Sequence, residues 1–251
     1  MKVAFGSIGF TVLILFSLGM EGIICIAMAS PLIALLGWLG ALLGYKLQRG
    51  GRNRKHSMLL SIALLNPLIT GVEHHYQLQP PLQTVQSTVV INAPPSHVWR
   101  TLTEPLQYGT NEGLLFRAGV AYPTKTEVLV SGSRRFLKCS MPDGEALAEI
   151  TDYVPGRRLE FSFSRTPPLM KELSLYKHIH PPHLDGYIRI RKGTFSLRPI
   201  PGGRTELKGI TVYQHEIWPV QYWKLWTDFI LDRMHLKVLY VIKQKTERGS
   251  N

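Results

Sequence analysis

Two cysteines in 251 residues, Cys25 and Cys139, are too few for a disulfide scaffold or a paired-cysteine zinc site. Charge is also scarce: 18% of residues are charged against 45% hydrophobic, the reverse of a disordered chain. Acids are outnumbered, 17 against 29 Lys and Arg, for a formal net charge of +12. The sequence has no phosphate-cradling glycine loop, no nucleophile elbow and no metalloprotease helix, so the familiar hydrolase and nucleotide-binding signatures are missing. Internal repeats and low-complexity tracts are absent too. The length suits one or two domains.

Mean hydropathy is close to zero, an average that hides a very uneven distribution. Residues 3–20 carry no charge, Glu21 interrupts, and residues 22–45 are again uncharged. Each run is long enough or nearly so to cross a bilayer core, and the two together suit a hairpin turning near Gly19–Gly22 with Glu21 at the headgroups. A basic connector follows, Lys46, Arg49, Arg52, Arg54 and Lys55, and then the uncharged run 57–72 with Pro67 inside it. Sixteen residues give roughly 24 Å of helix, short for a span but workable with local thinning.

The expectation is therefore a transmembrane region over 1–75 with spans at about 3–20, 22–45 and 57–72. The connector is cytoplasmic by the positive-inside rule, and the rest of the chain is non-cytoplasmic. If 57–72 lies at the interface instead, the rest stays in the cytoplasm. A cleaved signal with Ala27-Met28-Ala29 as its site fits less well, because Glu21 precedes it and another apolar run follows. The connector accounts for five of the excess positive charges; the remainder is scattered, so nucleic acid is not expected as a partner.

Residues 76–83 read as a proline-marked linker and 84–248 as a second domain. Val85, Ser87, Val89 and Ile91 alternate with polar neighbours as a first strand. Asn92-Ala93-Pro94-Pro95-Ser96 stops it and opens a short helix over 97–103. Strands are expected at 127–131, 135–141, 146–154, 159–164, 187–199 and 205–215, separated by Gly132-Ser133, Pro142-Asp143-Gly144, Pro155-Gly156 and Pro201-Gly202-Gly203. The inward side of the 187–199 strand changes near Lys192-Gly193, as a bulge would cause. A helix from Pro219 to about Lys245 closes the chain, with Trp223, Trp226, Ile230, Met234 and Val241 at helical spacing and Lys224, Asp228, Asp232 and His235 assigned to the opposite face. The fold class is α+β: a curved antiparallel sheet of about seven strands around a long C-terminal helix, a helix-grip fold, preceded by the transmembrane helices.

That order, opened by Val89-Val90-Ile91-Asn92-Ala93-Pro94-Pro95-Ser96-His97-Val98-Trp99 and Leu102, resembles the SRPBCC superfamily of START domains, polyketide cyclases and pollen-allergen-like proteins over residues 84–245. Pro181-Pro182-His183-Leu184-Asp185-Gly186-Tyr187 with Arg189, Arg191, Gly193 and Phe195 resembles a membrane-anchored bacterial subgroup. So do Pro201–Thr205, His215-Glu216-Ile217-Trp218-Pro219 and Tyr222-Trp223, and the Glu21–Cys25 stretch of the hairpin looks like that subgroup's anchor. The resemblance implies a bacterial inner-membrane protein with a cavity for an apolar or amphipathic small molecule, without implying one chemistry.

Candidate site residues follow from the loop SLYKHIHPPHLDGY and from the junction before the last helix. His180, His183, Asp185 and Tyr187 suit a cavity rim that meets a ligand's polar end, and with His178 they match no standard zinc spacing, so no metal is expected. His215 and Trp218 are further ligand candidates, and His215 and Glu216 are the candidates for acid–base work if the protein is an enzyme. Trp99, Phe161, Phe163, Trp223 and Trp226 are expected in the core or cavity wall. The ranking is a non-enzymatic carrier or sensor of a lipid- or polyketide-like molecule, then a cyclase/dehydratase-type enzyme, then a scaffold or stress membrane protein with no ligand. Membrane lipids and the small molecule are the expected partners, and no cofactor is expected.

Overall fold

The computed structural model describes residues 2–20, 22–48, 80–109, 113–142, 144–165, 167, 170 and 188–249. The expected third span 57–72, the linker residues 76–79 and the loop carrying His180, His183, Asp185 and Tyr187 lie outside the described residues. The chain divides into two compact units, one holding the first two helices and the other the sheet with its helices.

In the first unit, α1 (Lys2–Ser17) and α2 (Ile23–Gln48) are apolar on every side. α1 ends where the first apolar run predicts a turn. Met20 N–H donates to Leu15 O at 3.0 Å and Gly19 N–H to Phe16 O at 3.1 Å, with Gly19 at φ 67°, the paired bonds of a Schellman cap. The helices pack closely at Gly37, where a Cβ would overlap the Ile8 side chain. Ile23–Lys46 is a 24-residue stretch of mean hydropathy 2.2, long and apolar enough to cross a membrane.

The second unit opens with β1 (Gln83–Ile91), whose Val85, Ser87, Val89 and Ile91 are buried while their neighbours are exposed or half-buried. Then come α3 (Pro95–Thr103), the two-residue β2 (Leu106–Gln107), α4 (Leu114–Arg117), β3 (Lys125–Ser131), β4 (Arg134–Met141), β5 (Gly144–Val154), β6 (Arg158–Phe163), β7 (Ile188–Ile200), β8 (Arg204–His215) and α5 (Val220–Arg248). The described residues form an eight-stranded antiparallel sheet in the order β1-β8-β7-β6-β5-β4-β3-β2. This is the expected α+β helix-grip architecture, with β2 the additional strand. Two residues are too few for an alternation signal. The bulge of β7 falls between Ile190 and Lys192, as the pattern requires, and a second one in β5 falls between Ile150 and Asp152.

α5, about 43 Å long, lies across β1 and β8 and touches α3. Ile91, Val98, Leu207, Leu239 and Ile242, all fully buried, form the core with Trp99, Leu102, Leu159 and Leu197. Thr205 Oγ1 donates to Ala93 O at 2.7 Å and the Asn92 N–H donates to Glu247 Oε1 at 2.8 Å, tying the end of β1 to β8 and to the last turns of α5.

Three polar side chains of α5 face opposite to the side expected of them. Asp228, Asp232 and His235 do not occupy an outward face. They turn toward the sheet and bond to β1 and β8, while Leu225, Phe229 and Tyr240 are exposed. Trp223 and Trp226 are half-buried rather than core residues. Ile230, Met234 and Val241 do pack inward as their spacing requires, but they share the buried side of the helix with polar side chains that the spacing of apolar residues alone assigns outward.

Leu239, fully buried at the meeting of α5, α3 and the sheet, should lose about 2–5 kcal/mol of stability on Leu239→Ala. Leu225→Ala, at a position 69% exposed on the same helix, should stay within about 0.5 kcal/mol of wild type. Chemical denaturation of the detergent-solubilised chain reads both.

Candidate functional site

α5 and the concave face of the sheet enclose a cavity of about 120 Å³. Its wall is built from β-strand positions that alternate inward: Leu137 and Cys139 of β4, Leu159, Phe161 and Phe163 of β6, Gly193 and Phe195 of β7, and Gly209 and Thr211 of β8. Leu231, Met234, His235 and Val238 of α5 close it from above. Phe161 meets Phe163 and Phe195 at ring-centroid distances of 5.7 and 6.0 Å. Gly193 sits opposite Phe161 in the ladder because a Cβ there would overlap that ring. Phe161 and Phe163 are thus in the wall, as expected, and Trp99 is in the neighbouring core, edge-on to Tyr153 at 5.1 Å.

Polar groups reach this wall in two places. Tyr108 Oη and Thr126 Oγ1 share a 2.8 Å hydrogen bond, and burial drives the tyrosine's pKa far above its ordinary value. Beside them, burial pushes the Cys139 thiol up to about 12, so it stays protonated and packs as a small apolar group. Thr211 and His235 make the second place. Thr211 Oγ1 lies 2.7 Å from His235 Nε2, His235 Nδ1 lies 3.2 Å from Ser87 Oγ, and Ser87 Oγ donates to Asp232 Oδ1 at 2.6 Å. Ser87 and Thr211 are both buried. Four side chains from β1, β8 and two turns of α5 form one continuous chain, from the cavity wall to the carboxylate. Burial lowers the His235 pKa to about 4, outweighing the nearby Asp232 charge that favours protonation.

A parallel chain lies one turn earlier on the helix. Tyr213 Oη donates to Asp228 Oδ1 at 2.6 Å, and Lys224 Nζ donates to Asp228 Oδ2. Tyr213 is fully buried, and burial together with the carboxylate beside it raises its pKa well above the usual tyrosine range.

The candidates at the β8–α5 junction are placed near one another but not on the cavity wall. His215 is 1% exposed, stacks on Tyr213 at 6.2 Å, and neither ring nitrogen makes a hydrogen bond of good geometry, although the Ile217 backbone lies close by. Burial lowers its pKa, with that backbone group partly opposing the shift. Glu216 turns outward to an ion pair with Arg189 at 2.9 Å. Trp218, 74% exposed, precedes a cis peptide bond to Pro219. Among the described residues no group of three or more His, Cys, Asp and Glu side chains could hold a metal ion.

No protein-family model matches the chain, and no curated protein matches it. Solved structures do resemble it. The ZhuI aromatase/cyclase from Streptomyces sp. R1128 is 14% identical, covering 68% of this chain and 97% of its own, with a TM-score of 0.41. The di-domain ARO/CYC StfQ from the steffimycin biosynthetic pathway is 12% identical over 76% of this chain and 61% of its own, at TM-score 0.45. A Thalictrum flavum norcoclaurine synthase point mutant, in complex with a transition-state analogue, is 12% identical over 69% and 99%, at 0.43. These are likenesses of fold, at identities too low to carry function.

His235 gives the site a pH signature. In the folded protein it stays neutral down to about 4, whereas an unfolded histidine takes up a proton near its ordinary 6.5. The unfolded state therefore binds more protons as pH falls through that window, and stability is lost between about 6.5 and 4. His215 adds loss of the same sign, beginning below 6.5. His235→Gln should remove on the order of 2–3 kcal/mol of that acid-induced loss, measured as the difference in unfolding free energy between pH 7 and pH 4.5 in wild type and variant.

Proposed function

We propose that the protein is a membrane-anchored SRPBCC-type module that binds a hydrophobic or amphipathic small molecule, lipid-like or polyketide-like, as a carrier or sensor. The observation that carries this reading is the cavity of about 120 Å³ between α5 and the sheet, walled by leucine and phenylalanine and reached by few polar groups. Its size is close to that of an apolar cavity of about 150 Å³ known to admit benzene, so it takes one ring or a short stretch of acyl chain. A longer ligand would need to extend through the mouth.

The loop with His180, His183, Asp185 and Tyr187 is the proposed rim at that mouth. Support comes from its two ends, since Phe163 at the close of β6 and Ile190 near the start of β7 both line the cavity. α2 supports anchoring, and we assign residues 1–75 to a multi-pass bacterial inner-membrane region with residues 84–248 on the non-cytoplasmic side. Tethering keeps the cavity beside an apolar ligand's reservoir. A cyclase/dehydratase-type activity is the second reading, favoured by the hydroxyl–imidazole pair of Thr211 and His235 on the cavity wall.

Mass spectrometry of small molecules retained by the full-length chain, purified in its native lipids, tests the first reading. A stoichiometric apolar species is expected. Gly193→Val, whose side chain would press on Phe161 and into the cavity, should retain several-fold less while remaining folded. An empty chain that no lipid panel stabilises would overturn carriage and point to a scaffold.

A further inference from the structure

The hydrogen-bonded chain behind the cavity has a direction, and that direction constrains what can bind. We infer that the Thr211 end of the cavity takes a hydrogen-bond donor, so that the ligand's buried end is a neutral ring or short alkyl segment carrying a hydroxyl. The inference rests on the cavity being a ligand site and names the chemistry of its ligand.

Proton counting gives the direction. Ser87 has one hydroxyl proton, and at 2.6 Å from Asp232 Oδ1 it is donated to that carboxylate. Toward His235 Nδ1, 3.2 Å away, Ser87 Oγ can then only accept. Nδ1 therefore carries the proton of the neutral imidazole, a state that burial enforces. Nε2 is left as an acceptor, and Thr211 Oγ1 at 2.7 Å must donate to it. The one proton of Thr211 is thus committed to the imidazole, and what its oxygen can offer the cavity that Thr211 lines is acceptor capacity alone.

A hydroxyl placed there gains a bond; a carbonyl meets lone pairs. A carboxylate also meets the field of Asp232 behind the imidazole, and an ammonium would have to shed its water in an apolar cavity. The Tyr108–Thr126 pair differs, because two hydroxyl protons across one hydrogen bond leave one to donate. The selection is therefore local to Thr211, and variants at Thr211 and Ser87 isolate it.

The test uses phenol, toluene and benzaldehyde, each a single ring, titrated into the full-length chain in nanodiscs by calorimetry. Wild type should bind phenol several-fold tighter than toluene, up to about tenfold, the scale of one buried hydrogen bond. Thr211→Val should erase that advantage and leave toluene unchanged. Ser87→Ala frees His235 to carry its proton on Nε2, so benzaldehyde should gain several-fold while phenol, able to accept as well as donate, changes little. Nitrogen NMR of the His235 ring, which needs no variant, should show protonated Nδ1 and bare Nε2.

Toluene binding with no preference for phenol, or a preference that survives Thr211→Val, would overturn the inference and leave the cavity reading intact. A ring protonated at Nε2 would overturn it too. Binding of none of the three probes would overturn both.

Discussion

A single helix must close a sheet much wider than itself, and the rest of the second unit follows from that mismatch. Eight strands at about 4.8 Å spacing span roughly 34 Å, against about 10 Å for a helix with its side chains. α5 meets β1 and β8, and the sheet has to curl so that β4, β6 and β7 come round to face it. Two bulges, in β5 and β7, supply bending at the strands that make the turn. Leu239 and Ile242 fill the contact where the helix meets α3 and the Trp99 cluster. Toward the other end, small residues on the strands, Gly193 and Gly209, remove wall volume where side chains would otherwise fill it. The cavity is therefore a product of how the strands are substituted under the helix, with Phe161 and Phe195 as its limits.

The same contact line explains why polar side chains lie under α5. Where the helix runs over β1 and β8, Ser87, Thr211 and Tyr213 meet Asp232, His235 and Asp228. Buried polar groups left unpaired cost about 1–3 kcal/mol each, so such a seam is tolerable only when its members satisfy one another, and these do. A satisfied seam fixes the position of the helix more narrowly than apolar contacts would, because hydrogen bonds have a direction and leucine contacts do not. His215, stacked on Tyr213 at the end of β8, is the exception: its ring nitrogens lack well-formed bonds, and it lies off the cavity wall.

The first unit is apolar on every side. Leu35, Leu36, Leu39 and Leu43 of α2 and Phe10, Leu13 and Ile14 of α1 are exposed, and neither helix has a polar side to turn toward water. At about 25 cal/mol per Å² of apolar surface, water would penalise that arrangement heavily, and the proposed bilayer removes the penalty. In hydrocarbon the hydrophobic effect no longer holds two helices together. Close packing takes over, and the approach of Ile8 to Gly37 is the kind of contact that then counts. Mean hydropathy near zero is thus the average of an apolar first unit and a more polar second one.

Alternation and turn chemistry made most of the sheet legible: Val85, Ser87, Val89 and Ile91 point inward as their spacing requires, and Pro155-Gly156 and Pro201-Gly202-Gly203 separate strands where expected. The candidate site was much less so. His215, Glu216 and Trp218 cluster in sequence, yet one is buried off the cavity wall, one is paired at the surface and one is exposed. The residues that do reach the cavity, Thr211 and His235, come from different elements, and no local motif joins them. A signal was present nonetheless. Leu239, Ile242 and Thr246 step by three and four along the buried stripe of α5, and continuing backward by four, three and four lands on His235, Asp232 and Asp228. Hydrophobicity assigns those three to water, whereas the period assigns them to the sheet. The period prevails because Ser87, Thr211 and Tyr213 wait at the matching positions of β1 and β8, and a polar residue's choice of face depends on partners that helix-by-helix reading never sees.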